Sequence, residues 1–184
     1  MTQIKVNHTY EIILALLRKE THGRELAKML KTSLTKIQAI LNELYRCNAV
    51  DYTVAGKNHV YFIKKNLIAR TYVLSAEQYK FAKLLRSYPL LEPVCKELMK
   101  KCSGQMLILF GSYAKFIPKE RSDIDIYINT TDKKMQGMFR RIDERINVKI
   151  GEFSKDDLLI QEIIKDHILI QGGELFYEKL GFFD

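Results

Sequence analysis

The sequence predicts an α+β protein in two parts, and three observations carry that expectation. Helical periodicity recurs in short stretches near the start of the chain, and two alternating runs around a Gly-containing turn follow directly. Further on, a continuous apolar run leads into a Gly-Ser pair and then into a second strand that begins with two aspartates. Composition agrees with a globular chain: of 184 residues, 47% are hydrophobic and 28% charged. No apolar run approaches the ~18 residues that a membrane span needs. The first residues lack the basic start, apolar stretch and small-residue cleavage site of a secretory signal, so the expectation is a cytoplasmic protein with no membrane partner.

The first stretch, residues 8–19, places Ile12, Ile13, Ala15, Leu16 and Leu17 on one helical face. After Thr21-His22-Gly23, the run from Arg24 to Leu30 repeats that spacing with Leu26, Ala27 and Leu30. Lys31-Thr32-Ser33 breaks it, and Ser33 stands as the N-cap of a longer helix carrying Leu34, Ile37, Ile40, Leu41 and Leu44 on one stripe. Two amphipathic helices joined by a tight turn match a helix-turn-helix, the second exposing Thr35, Lys36, Gln38 and Asn42 on its polar face. Val50–Val54 and His59–Ile63 read as strands around Ala55-Gly56-Lys57-Asn58, a hairpin with Lys57 at its tip.

Charge is placed unevenly. Residues 1–75 hold 12 Lys/Arg against 5 Asp/Glu, whereas 76–184 hold 18 against 17, so nearly all of the net charge of +8 lies in the first part. That balance fits a polyanion partner for the N-terminal part, with a lysine-rich solvated surface as the plainer alternative. Roughly residues 4–70 resemble the archaeal and bacterial winged-helix family. The resemblance implies DNA as a partner, with Lys36, Gln38, Arg46 and Lys57 as the candidate contacts to bases or phosphates, although winged helices also serve as protein-interaction modules. A single winged helix often gains DNA affinity by dimerising, which leaves a homodimer open.

Helical stretches around Ala76–Leu85 and Leu91–Lys100 follow, interrupted at Ser87-Tyr88-Pro89, where proline disfavours helix in the residue before it. Gln105 to Phe110 is then a short apolar run suited to a buried strand. Gly111-Ser112 follows at once, and Ser122-Asp123-Ile124-Asp125-Ile126-Tyr127-Ile128 forms the second strand. Glycine lets the backbone turn and approach a ligand closely, and free N–H groups at a helix start, with the Ser112 hydroxyl, can hold phosphate oxygens. Side chains at i and i+2 of a strand share a face, so Asp123 and Asp125 project together. Two such carboxylates are best tolerated around hard cations such as Mg²⁺.

Gly111-Ser112, ten residues, then Asp123-Ile124-Asp125 resembles the signature of the DNA polymerase beta-like nucleotidyltransferases, in particular their minimal branch, and the resemblance covers roughly residues 102–184. It implies a mixed sheet with flanking helices, closed by Asp166 to Tyr177. It further implies that Gly111 and Ser112, with Lys115 at the same nucleotide site, bind the phosphates of an NTP, while Asp123 and Asp125 hold two Mg²⁺ (or Mn²⁺) ions. The implied reaction transfers a nucleoside monophosphate to an acceptor hydroxyl with release of pyrophosphate. By the same resemblance, minimal nucleotidyltransferases often act as the antitoxin half of a two-protein system, so a protein acceptor or toxin-like partner is among the expectations.

The superfamily usually has a third carboxylate on a neighbouring strand, for which Arg145 to Phe153 is the candidate segment. Ile146, Val148 and Ile150 alternate there with Asn147, Lys149 and Gly151, so an amide stands where an acid is expected. Glu152 has the wrong parity unless Gly151 forms a bulge. Phe116 stands where the branch often has a small residue. The sequence therefore leaves open whether the chain is an active enzyme or a DNA-binding regulator whose C-terminal domain binds nucleotide without catalysis.

The expected organisation is a winged helix over 1–72, a helical connector over 73–103 and a nucleotidyltransferase-like domain over 104–184. The three cysteines, with neither CxxC spacing nor nearby histidines, are expected to be buried thiols. His8, His22, His59 and His167 are too scattered to pair on a metal, which leaves cap, surface or packing roles. Lys133-Lys134 and Arg140-Arg141, flanking Gln136 to Phe139, read as a solvated helix face that alternatively meets an acidic acceptor.

Overall fold

Helix ends determine where the first part of the chain turns. In the computed structural model, which describes residues 6–132, 139 and 142–184, α1 (His8–Arg18) starts at Asn7, whose side-chain oxygen accepts from Thr9 N at 3.1 Å. The Lys133-Lys134 and Arg140-Arg141 pairs lie outside the described residues. β1 (Thr21–His22) leads into α2 (Gly23–Met29), capped by His22 Nδ1 accepting from Glu25 N at 3.1 Å. α3 (Leu34–Arg46) is capped by Ser33 Oγ, which accepts from Lys36 N at 3.3 Å. Both α2 and α3 stop in the same way. Lys31 (φ +49°) and Asn48 (φ +62°) take the left-handed conformation, and the next residue returns a hydrogen bond five residues back, Thr32 N to Ala27 O and Ala49 N to Leu44 O.

β2 (Val50–Ala55) and β3 (Asn58–Ile63) pair from Val50↔Ile63 to Ala55↔Asn58, leaving only Gly56 and Lys57 in the loop. Gly56 has φ +62°, the positive value that a tight two-residue hairpin takes at its first central position. β1 adds antiparallel to the other edge of β3, giving the order β1-β3-β2. Helix, strand, two helices and a hairpin in this order make a winged helix-turn-helix, with Ile12, Ile13, Leu16, Leu26, Ile37, Leu41 and Leu44 buried in its core. Tyr52 stacks on His59 across the hairpin, ring centroids 4.0 Å apart.

The chain divides into two compact units, one ending at Ala76 and taking in Phe183 and Asp184, the other running from Glu77 to Phe182. α4 (Leu67–Ser87) begins with Asn66 Oδ1 accepting from Ala69 N at 2.8 Å and is followed by α5 (Leu91–Lys101). The second unit continues with β4 (Leu107–Phe110), α6 (Gly111–Ala114), β5 (Ile124–Asn129), β6 (Ile146–Gly151), α7 (Leu158–Lys165), β7 (Ile168–Gln171) and α8 (Gly173–Leu180). Its sheet has the order β6-β5-β4-β7. β4 is antiparallel to both β5 and β7, and β5 runs parallel to β6.

Alternation along the strands divides the sheet's two faces. Leu107, Leu109, Ile124, Ile126, Ile128, Ile146, Val148, Ile168 and Ile170 pack with Leu84 of α4 and with Leu91, Val94, Cys95 and Leu98 of α5. Each such fully buried aliphatic side chain stabilises the unit by about 1.5–3 kcal/mol. Residues 73–103 therefore include a helix, α5, that belongs to the core beneath the sheet. Cys95 and Cys102 are buried as expected; Cys47 is not, because it caps the C-terminus of α3 in solvent. Among the described residues no helix is long and apolar enough to cross a membrane.

On the opposite face, Tyr127 meets Phe153, which meets Phe176, which meets His167, and this aromatic chain surrounds a buried polar group. Glu77, 2% exposed, accepts from Tyr177 Oη at 2.8 Å and faces His167 Nε2 at 3.4 Å, while Lys80 Nζ donates to the His167 carbonyl. Burial alone would raise the Glu77 carboxyl, but the His167, Lys80 and Tyr177 interactions outweigh it and hold it below its usual range. A carboxylate lowered in the fold adds stability that is full above its unfolded pKa of about 4.3 and is lost as pH falls through the lower folded value. Glu77→Ala, which strands its partners, is expected to cost about 3–5 kcal/mol in urea unfolding at neutral pH. Glu77→Gln should unfold with a shallower loss of stability than the parent when the same titration is repeated at falling acid pH.

Candidate functional site

The corner between β4 and β5 is built around a glycine that lies directly against a carboxylate. β4 ends at Phe110, and the chain turns through Gly111 at φ +71° into the single turn of α6. Phe110 pairs with Asp125 in the antiparallel register, which brings the Asp125 side chain over the Gly111 backbone. A Cβ on Gly111 would collide with Asp125 Oδ2 and come within 3.2 Å of Asp125 Cγ. Two independent constraints, the positive φ and the absent side chain, thus require glycine at this position.

α6 is closed by the same device that ends α2 and α3. Phe116 N donates to Tyr113 O at 3.0 Å, Ile117 N donates to Ser112 O at 3.0 Å, and Phe116 takes φ +59°. A large L-residue in the left-handed region costs roughly 1–2 kcal/mol. The Phe116 ring offsets this by packing on the core beside Tyr88, centroids 6.4 Å apart, with the Lys83 ammonium 5.6 Å from its centre. Tyr88 also meets Tyr113 edge-on at 5.3 Å, so both ends of the turn are anchored to one aromatic ring. Ser112 is half-buried at the start of this turn, and Lys115 is exposed at its end, where its charge acts on Glu162 of α7.

Asp123 is exposed just before β5, while Asp125 is partly buried within it. Burial raises the Asp125 carboxyl, and the neighbouring Asp123 charge raises it further; the Asn147 hydrogen bond and the Lys149 ammonium pull it down without reversing the shift. Asn147 lies directly beside Asp125 in the parallel register, and its Nδ2 donates to Asp125 Oδ1 at 2.8 Å. The amide orientation follows from chemistry, since an ionised carboxylate only accepts. Lys149 follows on the same face, exposed and paired in register with Tyr127.

The structure brings Gly111, Ser112, Asp123 and Asp125 to one corner, and it places Asn147 beside Asp125 in the position considered for a third acid. Pairing runs unbroken from Ile124↔Ile146 to Asn129↔Gly151, so Gly151 forms no bulge in this ladder and Glu152 lies past the far end of β6. Two further acids precede β6: Glu144 is exposed, and Asp143 is held in a two-pronged pair by Arg145, Nε to Oδ1 at 3.0 Å and a terminal nitrogen to Oδ2 at 2.7 Å. Sequence reasoning passed over this pair, whose signal was an acid and an arginine two residues apart ahead of the strand. Among the described residues no group of three or more His, Cys, Asp or Glu is gathered for a metal. The stretches 133–138 and 140–141 contain no Asp or Glu at all. Two neighbouring carboxylates, one just before β5 and one within it over a backbone without a Cβ, fit a hard divalent cation bearing phosphate oxygens, which would complete its coordination.

Lys36, Gln38, Arg46 and Lys57, the candidate nucleic-acid contacts, are all exposed, the first three on α3 and Lys57 in the hairpin turn.

Replacing Gly111 by Ala is expected to destabilise the second unit by roughly 2–4 kcal/mol in denaturant unfolding, through the left-handed backbone and the displaced Asp125 carboxylate together. Asp125→Asn should act in the opposite direction. A carboxyl raised in the fold contributes stability below its unfolded pKa that is lost as pH rises through the folded value. Removing the charge should therefore raise the melting temperature at neutral pH and leave it nearly unchanged at pH values where Asp125 is already protonated.

No curated protein sequence matches the chain. Among solved structures, the adhesin competence repressor AdcR from Streptococcus pyogenes aligns over 50% of this chain and 69% of its own, with 16% identity and a TM-score of 0.41. A variant of ZitR from Lactococcus lactis aligns over 55% of this chain and 64% of its own, with 16% identity and a TM-score of 0.37. Scores this low carry no conclusion. The match that coincides with the corner described above is to a family: residues 93–175, from within α5 to the first turn of α8, match the family described as Polymerase beta, Nucleotidyltransferase.

Proposed function

We propose that the second unit is a nucleotidyltransferase that moves a nucleoside monophosphate from an NTP to a hydroxyl acceptor, and that the winged helix binds DNA. The observation that carries the reading is the contact of Gly111 with Asp125, because it sets a phosphate-binding turn and a cation-binding carboxylate against each other. The match to the Polymerase beta, Nucleotidyltransferase family over the same residues supports it.

In this reading the backbone N–H groups that open α6 and the Ser112 hydroxyl hold the terminal phosphates of the NTP. Asp123 and Asp125 hold Mg²⁺ or Mn²⁺, which supplies charge neutralisation at the phosphates. Asn147 fixes the rotamer of Asp125 through its hydrogen bond. The acceptor oxygen attacks the α-phosphorus in line, its proton passes to solvent, and the bond to the departing pyrophosphate breaks. Lys115, exposed at the end of α6, would in this reading meet the phosphate tail at the outer edge of the site.

A second reading has one observation in its favour. Asn147 presents an amide donor beside Asp125 where a third carboxylate would accept a proton, which suits a regulator that binds nucleotide without turning it over. The two separate in one assay. With α-labelled ATP, CTP, GTP and UTP and Mg²⁺ or Mn²⁺, wild-type protein is expected to transfer label to itself or to an acceptor in cell extract, and Asp123→Asn/Asp125→Asn to transfer none. Absence of label with every nucleotide, together with retained nucleotide binding, would replace the transferase by the regulator.

For the first unit, Ala at Lys36, Arg46 and Lys57 is expected to weaken binding to any duplex and to flatten the dependence of log K on log salt by about 0.9 for each phosphate no longer neutralised. Gln38→Ala should instead relax sequence preference. An unchanged salt slope in the triple variant, measured by fluorescence anisotropy, would remove DNA as a partner of this surface.

A further inference from the structure

Resting on the transferase reading, we infer that this corner takes one divalent cation with its NTP, and that Asn147 and Lys149 occupy the place of a second. Oxygen ligands are few here. Among the described residues no third acid is gathered with Asp123 and Asp125: Asp143 is engaged by both prongs of Arg145, Glu144 is exposed ahead of β6, and Glu152 lies beyond its end. A pair of Mg²⁺ ions needs a near-octahedral set of oxygens around each.

Orientation narrows the set further. Asn147 turns its Nδ2 toward Asp125, so this side of the corner presents N–H hydrogens to an incoming cation, and Asp125 Oδ1 already accepts one of them at 2.8 Å. Asp125 Oδ2, the oxygen over Gly111, remains for a cation that also carries phosphate oxygens. Lys149 stands two residues beyond Asn147 on the same strand face, exposed, with its ammonium charge acting on Asp125. A fixed positive charge and an amide thus stand on the side where a third acid would have gathered a second cation. Lys149 is assigned the neutralisation of charge at the reacting phosphate, and Asn147 is a positioning residue acting through Asp125.

The test counts cations, independently of turnover. Full-length protein is titrated with Mn²⁺ in the presence of α,β-methylene NTPs, which do not release pyrophosphate, and free Mn²⁺ is followed by electron paramagnetic resonance. One Mn²⁺ per bound nucleotide is expected for the wild type, and two for Asn147→Asp. Lys149→Met should still bind one Mn²⁺ but with nucleotide affinity about tenfold weaker, the size of one charged contact, and Lys149→Arg should restore it. Two Mn²⁺ per nucleotide in the wild type, or unchanged affinity in Lys149→Met, overturns the inference and leaves the transferase reading standing. No binding of any of the four nucleotides overturns the transferase reading, and this inference with it. Because the Lys149 side chain is exposed, its replacement leaves the core intact, and circular dichroism melting of each variant separates an affinity change from a folding defect.

Discussion

Everything at the candidate site depends on the approach of the Asp125 carboxylate to the Gly111 backbone. Residue 111 must be glycine twice over, for its φ of +71° and for the space that Asp125 fills. The approach is itself a product of register. Phe110↔Asp125 is the terminal pair of the β4–β5 ladder, and that ladder is fixed by Leu107, Leu109, Ile126 and Ile128 turning together into the core. Slipping the pairing by one residue would turn those aliphatic side chains out of the core and move the carboxylate away from the turn in the same step. Core packing and site geometry are therefore one constraint.

The parallel pairing of β5 with β6 sets the chemical character of the other side. Ile124↔Ile146 places Asn147 beside Asp125 and Lys149 beside Tyr127, and the buried face of β6 holds them there. Asn147 and Lys149 share a face with Asp125 because Ile146 and Val148 cannot leave the core. Parity along the strand decides which residue types meet the carboxylate. Alternation in the sequence is therefore enough to identify the amide, whereas its 2.8 Å hydrogen bond depends on the pairing of two strands that no local pattern specifies.

Other elements were legible to different degrees, for identifiable reasons. α3 and its Ser33 cap, the hairpin around Gly56, and the succession of strand, Gly-Ser turn and acidic strand all have local signals, because each is set by caps, turns and short-range periodicity. β1 has none: two residues cannot show a period, and Thr21 and His22 are a strand only because β3 offers its edge. The start of α4 was hidden by its own surface, since Leu67 is 78% exposed and Ile68 45% exposed, which breaks the apolar stripe, although Asn66 was available as the cap signal. Glu77 and His167 are ninety residues apart in sequence. Nothing local to either predicts that they meet under an aromatic layer, with Tyr177 donating to the same carboxylate.

The places where the chain breaks local rules separate into two kinds. Lys31 and Asn48 adopt left-handed backbone to stop helices, an ordinary use that the returning hydrogen bonds stabilise. Between Phe110 and Asp125 the departures accumulate: a glycine with no space above it, a phenylalanine at φ +59°, and a carboxylate raised by burial and by its neighbour Asp123. Each departure costs stability, and a charge at position 125 is not part of the aliphatic core. Costs concentrated in one segment and offset by the aliphatic sheet beneath it fit the binding corner proposed above. The distribution of strain and charge in the second unit thus points to the same residues as its geometry, independently of any family likeness.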